Sequence, residues 1–175
     1  MKCIVIYNSK TGFTKKYAQW IATKLNCEAV EEKNMTPKQW QEHSLMIYGG
    51  PLMAGKIAGW DKIRNRIVAE GKQATVYTVG ATPMAAVDVI EKVKSDNLSE
   101  EEQKEIPFYY FEGGINYEEM GFFSKTILKM MYKSLKNKKD KTPEEIGMMQ
   151  VFEASFDHAK EEYVEALVEG VKQKR

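Results

Sequence analysis

The chain has 175 residues, 43% hydrophobic and 29% charged, which fits one soluble globular unit, residues 1–175, with a sizeable core. Its 26 basic and 25 acidic residues leave a net charge of +1, so no global field draws it to nucleic acid, and none is expected as a partner. Two cysteines, Cys3 and Cys27, lack CxxC spacing, which excludes a disulfide scaffold and suits a reducing cytoplasm.

The cysteines read as two buried reduced thiols, with a place on neighbouring strands as the alternative. The first apolar run is too short for a secretory signal, and no run approaches the ~18 apolar residues of a membrane span. That run, 3–7, is rich in β-branched residues and reads as a buried strand. Residues 13–25 follow as a helix, with Tyr17, Trp20, Ile21 and Leu25 at helical spacing. A weaker strand is expected over 28–32, then a connection over 35–43 with a short helix after Pro37. Residues 44–49 read as a strand ending on the double glycine Gly49–Gly50. A helix over 60–70 places Ile63, Ile67 and Val68 inward. Residues 74–79 form a strand ending on Gly80, and 85–93 open a helical region extending, with a break near Asn97, toward Ile106. A fifth strand over 108–111 ends at Gly113 and Gly114.

Strand then helix, repeated about five times, predicts an α/β three-layer sandwich. Right-handed crossovers over five parallel strands leave the flavodoxin-like order 2-1-3-4-5 as the natural choice. The stretch 114–155 exceeds a usual ~2–6 residue connection and reads as a helical insertion after strand 5. Phe123, Ile127, Met130, Met131 and Leu135 follow helical spacing within it, beside a basic stripe of Lys125, Lys129, Lys133 and Lys136. Thr142 opens TPEE, a capping-box pattern with Pro143 at the first helical position. Residues 147–155 fit helix or extended chain, and a final helix falls within 157–172.

In an open parallel sheet, ligands bind at the carboxyl ends of the strands near the switch in strand order. Three turns meet that edge: 9–14 (SKTGFT), 49–60 (GGPLMAGKIAGW) and 79–84 (VGATPM). The first carries the hydroxyls of Ser9, Thr11 and Thr14 and the amides that open a helix, with Gly12 allowing close approach. Hydroxyls, amides and helix dipole together suit a phosphate dianion. Lys10 need not touch it, because neutral donors can suffice. No GK[ST] or GxGxxG is present, which disfavours a nucleoside triphosphate or NAD. On this turn alone, Ser9 and Thr11 serve equally well as plain helix caps.

SKTGFT matches every defined position of [S/T]-x-T-G-x-[T/N], and the chain resembles the flavodoxins on that motif and on the order of its glycine turns. The resemblance implies FMN as cofactor. Its phosphate would sit on Ser9, Lys10, Thr11, Gly12, Phe13 and Thr14. Its ring would lie between the second turn (Gly50, Pro51, Leu52, Met53, Ala54, Gly55) and the third (Gly80, Ala81, Thr82, Pro83, Met84). Electron-carrying flavodoxins usually place a Trp or Tyr on each ring face and are strongly acidic. Here Leu52, Met53, Thr82, Pro83 and Met84 take those places, and Trp60 is expected too late in its turn unless the loop folds back.

The segment FYYFEGGINYEEMGFFSKTILKMMYKSL is similar to the region after the fifth strand in flavodoxin-like protoporphyrinogen oxidases, FMN enzymes that pass electrons to menaquinone. GGPLMAGKI resembles their second flavin loop, with Pro51 at a small polar position. This implies an oxidoreductase acting on a quinone or other small conjugated molecule, cytoplasmic or peripheral at a membrane. A carrier serving a redox protein partner is the alternative. The 122–141 basic helix reads either as a cover for the sheet edge with solvated lysines or as a membrane-surface or anionic-partner contact. His43 and His158 read as surface or capping residues, and no metal is expected. Glu100 to Glu102 read as a solvated helix start after Ser99, and no catalytic nucleophile, acid or base motif stands out.

Overall fold

The computed structural model describes residues 2–116, 118–119, 122–140 and 155–174. In chain order the elements are β1 (Cys3–Tyr7), α1 (Phe13–Leu25), β2 (Glu28–Glu31), α2 (Pro37–Glu42), β3 (Leu45–Met53), β4 (Lys56–Ile57), α3 (Trp60–Ala69) and β5 (Gln73–Gly80). They continue with α4 (Val87–Asn97), α5 (Glu102–Glu105), β6 (Phe108–Glu112), β7 (Gly114–Ile115), α6 (Phe122–Asn137), β8 (Phe156–Asp157) and α7 (Glu165–Gln173).

Strict alternation builds two cores. Along β1, Cys3 and Val5 point to one face while Ile4 and Ile6 point to the other; Leu45 and Ile47 oppose Met46 and Tyr48 in β3 in the same way. The first face packs against Tyr17, Ile21 and Leu25 of α1 and Leu167, Val168 and Val171 of α7. The second packs against Trp40 of α2 and Trp60, Ile63 and Ile67 of α3. Burial on both faces is what parallel strands require. The parallel strands run in order β2-β1-β3-β5-β6, which is the expected 2-1-3-4-5 once the short antiparallel β4 is set aside.

Local chemistry sets the boundaries. Thr36 and Gln39 form a reciprocal capping box that starts α2 on Pro37. α1 ends on left-handed Asn26, with the Cys27 amide donating to the Ala22 carbonyl at 3.0 Å, a Schellman closure. The break near Asn97 is present, and the last helix follows a 3-10 turn at Glu161–Val164 inside the expected stretch and runs one residue past it.

Three expectations need correction. β3 does not stop at Gly49 but continues to Met53, because a hairpin partner extends its pairing. Val68 faces solvent at 67% exposure, so only Ile63 and Ile67 point inward from α3. Cys27 is half-buried, since it lies ahead of β2 where the sheet ends. The Thr142 capping box and the 147–154 stretch lie outside the described residues, as do the side chains of Phe122, Phe123, Ile127 and Met131.

Candidate functional site

The first turn opens α1. Gly12 is the N-cap at φ +92°, a conformation that a side chain would strain, and no side chain caps the helix there. The first turn of α1 carries no acidic residue. The Ser9 hydroxyl accepts from the Lys15 amide at 3.3 Å, so Ser9 does cap the helix in part. Thr11 makes no side-chain hydrogen bond among the described residues and is half-buried beside it. Lys10 is exposed, and Thr14 is buried at 2%.

The second turn is closed rather than open. Ala54 (φ +49°) and Gly55 (φ +79°) are both left-handed, the mark of a two-residue hairpin, and β4 returns antiparallel with Leu52 opposite Ile57 and Met53 opposite Lys56. Asn97 of α4 locks this hairpin. Its Oδ1 accepts from the Ile57 amide at 2.9 Å and its Nδ2 donates to the Gly55 carbonyl at 2.8 Å. Lys56 Nζ adds a bond to the Asp96 carbonyl. Gly50 is buried beneath, its carbonyl accepting from the Thr78 hydroxyl at 2.9 Å, so the structure does not bring it to the surface. Pro51 and Leu52 are half-buried, and Met53 is 40% exposed. Trp60 is 1% exposed and donates its indole N–H to the Asn97 carbonyl at 3.2 Å, so it packs under the hairpin and not over a ring site.

The third turn abuts the second. Leu52 lies 3.3 Å from the position a Cβ would take on Gly80. Ala81, Pro83 and Met84 are exposed, and Thr82 is half-buried. The Met84 amide donates to Glu112 Oε2 at 3.1 Å, while Glu112 Oε1 lies 2.8 Å from Nδ1 of exposed His158. His43 is buried at 4%, with Nδ1 2.6 Å from the Gln39 carbonyl at the C-terminal end of α2, so it caps from inside. Ser99 and Glu102 exchange hydrogen bonds of 2.8 and 3.3 Å, a capped start to α5.

Sequence reasoning missed four tyrosines that hold this edge from below. The phenol of Tyr77 donates to the Thr14 carbonyl at 3.3 Å, at the first turn. Tyr48 donates to the Ala58 carbonyl at 2.8 Å, under the hairpin, with Glu32 Oε2 3.1 Å away. Tyr110 donates to the Thr82 carbonyl at 2.8 Å, at the third turn. Tyr17 donates to the Glu112 carbonyl at 2.6 Å, where β6 ends. Burial pushes the Tyr110 phenol up to about 12 and raises Tyr17, Tyr48 and Tyr77 as well, so all four remain proton donors at neutral pH. Gly49 gives Tyr77 its path, because a Cβ there would collide with the phenol ring. Tyr48, Tyr77 and Tyr110 lie inside apolar strand runs and read as bulk, and Tyr17 reads as part of the apolar face of α1.

The long connection after β6 is rooted at the first turn. It leaves through β7 and returns through β8, which pair antiparallel. Lys16 of α1 bridges to Asp157 at 2.7 Å. Burial pushes the Asp157 carboxyl up, but the Lys16 ammonium and the Ala159 amide outweigh it and hold it below its usual value. An open cavity of about 440 Å³ lies between Thr11, Gly12 and Phe13 and the ribbon residues Ile115 and Phe156. On α6, Lys129, Lys133 and Lys136 are exposed, while Lys125 is half-buried and donates to the Glu118 carbonyl at 3.1 Å. Among the described residues, no helix is long and apolar enough to cross a membrane.

Solved structures with a similar arrangement include a flavodoxin, WrbA-like protein from Agrobacterium tumefaciens, at 16% identity and TM-score 0.42, covering 62% of this chain and 82% of that one. The Trp repressor binding protein from Bacillus subtilis matches at 15% identity and TM-score 0.43, over 64% of this chain and 85% of that one. A flavodoxin from the domain Archaea matches at 14% identity and TM-score 0.40, over 68% and 88%. No curated protein matches the chain. The family model described as Flavodoxin domain matches residues 4–142, and with that sheet order and that first turn the chain belongs to the flavodoxin-domain family.

Proposed function

We propose that the protein binds FMN and acts as an FMN-dependent oxidoreductase toward a quinone or other small conjugated molecule, in the manner of the protoporphyrinogen oxidases that its sequence resembles. The observation that carries the reading is the opening of α1. Gly12 brings no side chain of its own to that helix start, which is capped only in part, by the Ser9 hydroxyl on the Lys15 amide, with the Thr11 hydroxyl beside it. A phosphate there gains the helix dipole, up to ~2 kcal/mol in a partly buried setting, and charge-assisted hydrogen bonds. The cradle fits the group, since nothing lies within 4 Å of where a Cβ on Gly12 would sit.

Pro51 to Gly55 would border one side of the ring and Gly80 to Met84 the other, with Gly50 supporting from below. When bound, the isoalloxazine supplies the hydride and single-electron chemistry; the chain binds and orients it. Six large apolar residues are exposed among those described, and four of them, Met53, Met84, Val87 and Val89, lie on the hairpin, the third turn and the start of α4. That surface suits a flat apolar reactant more than a charged protein partner. The α6 helix, with three exposed lysines and Met130 at 68% exposure, would rest on an anionic membrane surface from the cytoplasmic side.

The test is the absorption spectrum of the purified protein. Flavin bands near ~370 and ~450 nm are expected; a colourless protein without FMN affinity overturns the reading. Steady-state quinone reduction by a chemical donor then separates an enzyme from a flavodoxin-type carrier. Deleting 122–141 should abolish vesicle binding and spare FMN, and vesicle binding that survives the deletion removes the membrane role.

A further inference from the structure

The opposite edge of the sheet carries a thiol pair that the flavin reading does not use. β1 and β2 run parallel with Ile4 opposite Glu28 and Val5 opposite Ala29, so one step back the register sets Cys3 opposite Cys27. Adjacent strands lie about 4.8 Å apart, and disulfides span Cα separations of about 4.4–6.8 Å. Both cysteines pack against the same core cluster, so they share a face of the sheet. The Schellman closure of α1 fixes Cys27 at that position. Both also line one open cavity of about 580 Å³ with Lys2, Lys38 and His43 around it. Cys27 is half-buried there, and Cys3 is 2% exposed.

We propose that Cys3 and Cys27 form a reversible dithiol–disulfide pair, oxidised by a small peroxide that enters through this cavity. Cys27, the more accessible thiol, attacks the peroxide as thiolate. Its S–O bond forms, the O–O bond breaks, and the departing hydroxide takes up the proton that Cys27 lost on ionising and leaves as the first water. The Cys3 sulfur then attacks that sulfenic acid. The S–S bond forms, the S–O bond breaks, and the Cys3 proton departs with the hydroxide as the second water. Two thiols lose two electrons in total, and one hydrogen peroxide becomes two waters. Lys2 and Lys38 line the cavity together with Glu28 and Glu42, and both lysines bridge to Glu42. A dithiol reductant reverses the bridge. The closed form ties β1 to β2 and encloses residues 9–14 in a covalent loop.

The experiment treats the native full chain with hydrogen peroxide, quenches it in acid and maps the peptides by mass spectrometry. The expected result is a loss of about two mass units per molecule and a linked Cys3–Cys27 peptide. Both thiols should become alkylatable again after dithiol treatment. In Cys3→Ser, Cys27 should instead be trapped by a sulfenic-acid probe. Unchanged thiols, a disulfide between two chains, or over-oxidised Cys27 beside alkylatable Cys3 in the unsubstituted protein would each overturn the pair. The unsubstituted measurement decides the question even where Cys3→Ser fails to fold.

Discussion

The first and second turns lie on the same sheet edge and are built on opposite plans. The first leaves part of its polar groups unspent: α1 starts on Gly12, which brings no cap of its own, Ser9 reaches only the Lys15 amide, and Thr11 makes no side-chain bond among the described residues. The second satisfies its own groups: β3 and β4 pair, and Asn97 holds both the Ile57 amide and the Gly55 carbonyl. The difference separates two kinds of contribution. One turn offers donors to an anion, and the other offers a fixed apolar shape. Tyrosine phenols hold both from beneath, so each plan can be perturbed separately or both together.

Alkaline pH should have the largest effect, because it removes the shared support. A tyrosine ionises near 10 in the unfolded chain and higher in the fold, at about 12 for Tyr110. The folded protein therefore holds protons that the unfolded chain has released. Stability from these phenols is fully present below pH 10 and is lost as pH rises through 10 toward 12 and above. Tyrosinate absorbance and loss of helical circular dichroism should rise together; tyrosines titrating in a still-folded protein would contradict this.

Gly49→Ala comes next. The new Cβ displaces the Tyr77 ring and its bond to Thr14, costing about 3 kcal/mol by overpacking and a lost buried hydrogen bond. Urea unfolding measures it, and a cost below ~1 kcal/mol would mean that Tyr77 is not held there. Asn97→Ala should cost about 2 kcal/mol, since the Ile57 amide loses its acceptor in a buried setting. This change touches only the second turn, so bound flavin should change its spectrum more than its affinity. Ala54→Asn has the smallest effect and the opposite sign. Asn tolerates left-handed φ better than Ala, so thermal unfolding should report about 0.5 kcal/mol of added stability.

The sequence discloses this edge unevenly, for physical reasons. The core strands are legible because parallel strands buried on both faces read as continuous apolar runs. SKTGFT is legible because hydroxyls and a glycine before a helix are a local signature. Gly49 and Gly50 read as the end of a strand, yet they lie within it. Gly49 makes room for the ring of Tyr77, and a Cβ on Gly50 would lie 2.5 Å from the Ala58 carbonyl. Such reasons are tertiary and leave no local mark. Asn97 shows the same limit: the helix break near it is readable, but the hairpin its amide locks lies 40 residues away for Ile57. Ala54 goes further, since a type I′ turn favours Asn or Gly and Ala gives no hint of one.

The central claim is that the first turn seats a phosphate. Titration of the flavin-free protein with FMN and with riboflavin, at one salt concentration, tests it most directly. A phosphate held by a helix start and hydroxyl donors should make FMN bind about 100-fold tighter than riboflavin. Thr11→Val should shrink that ratio by about tenfold while leaving riboflavin affinity and urea stability in place. Equal affinity for the two flavins, or a ratio unmoved by Thr11→Val, would contradict the account.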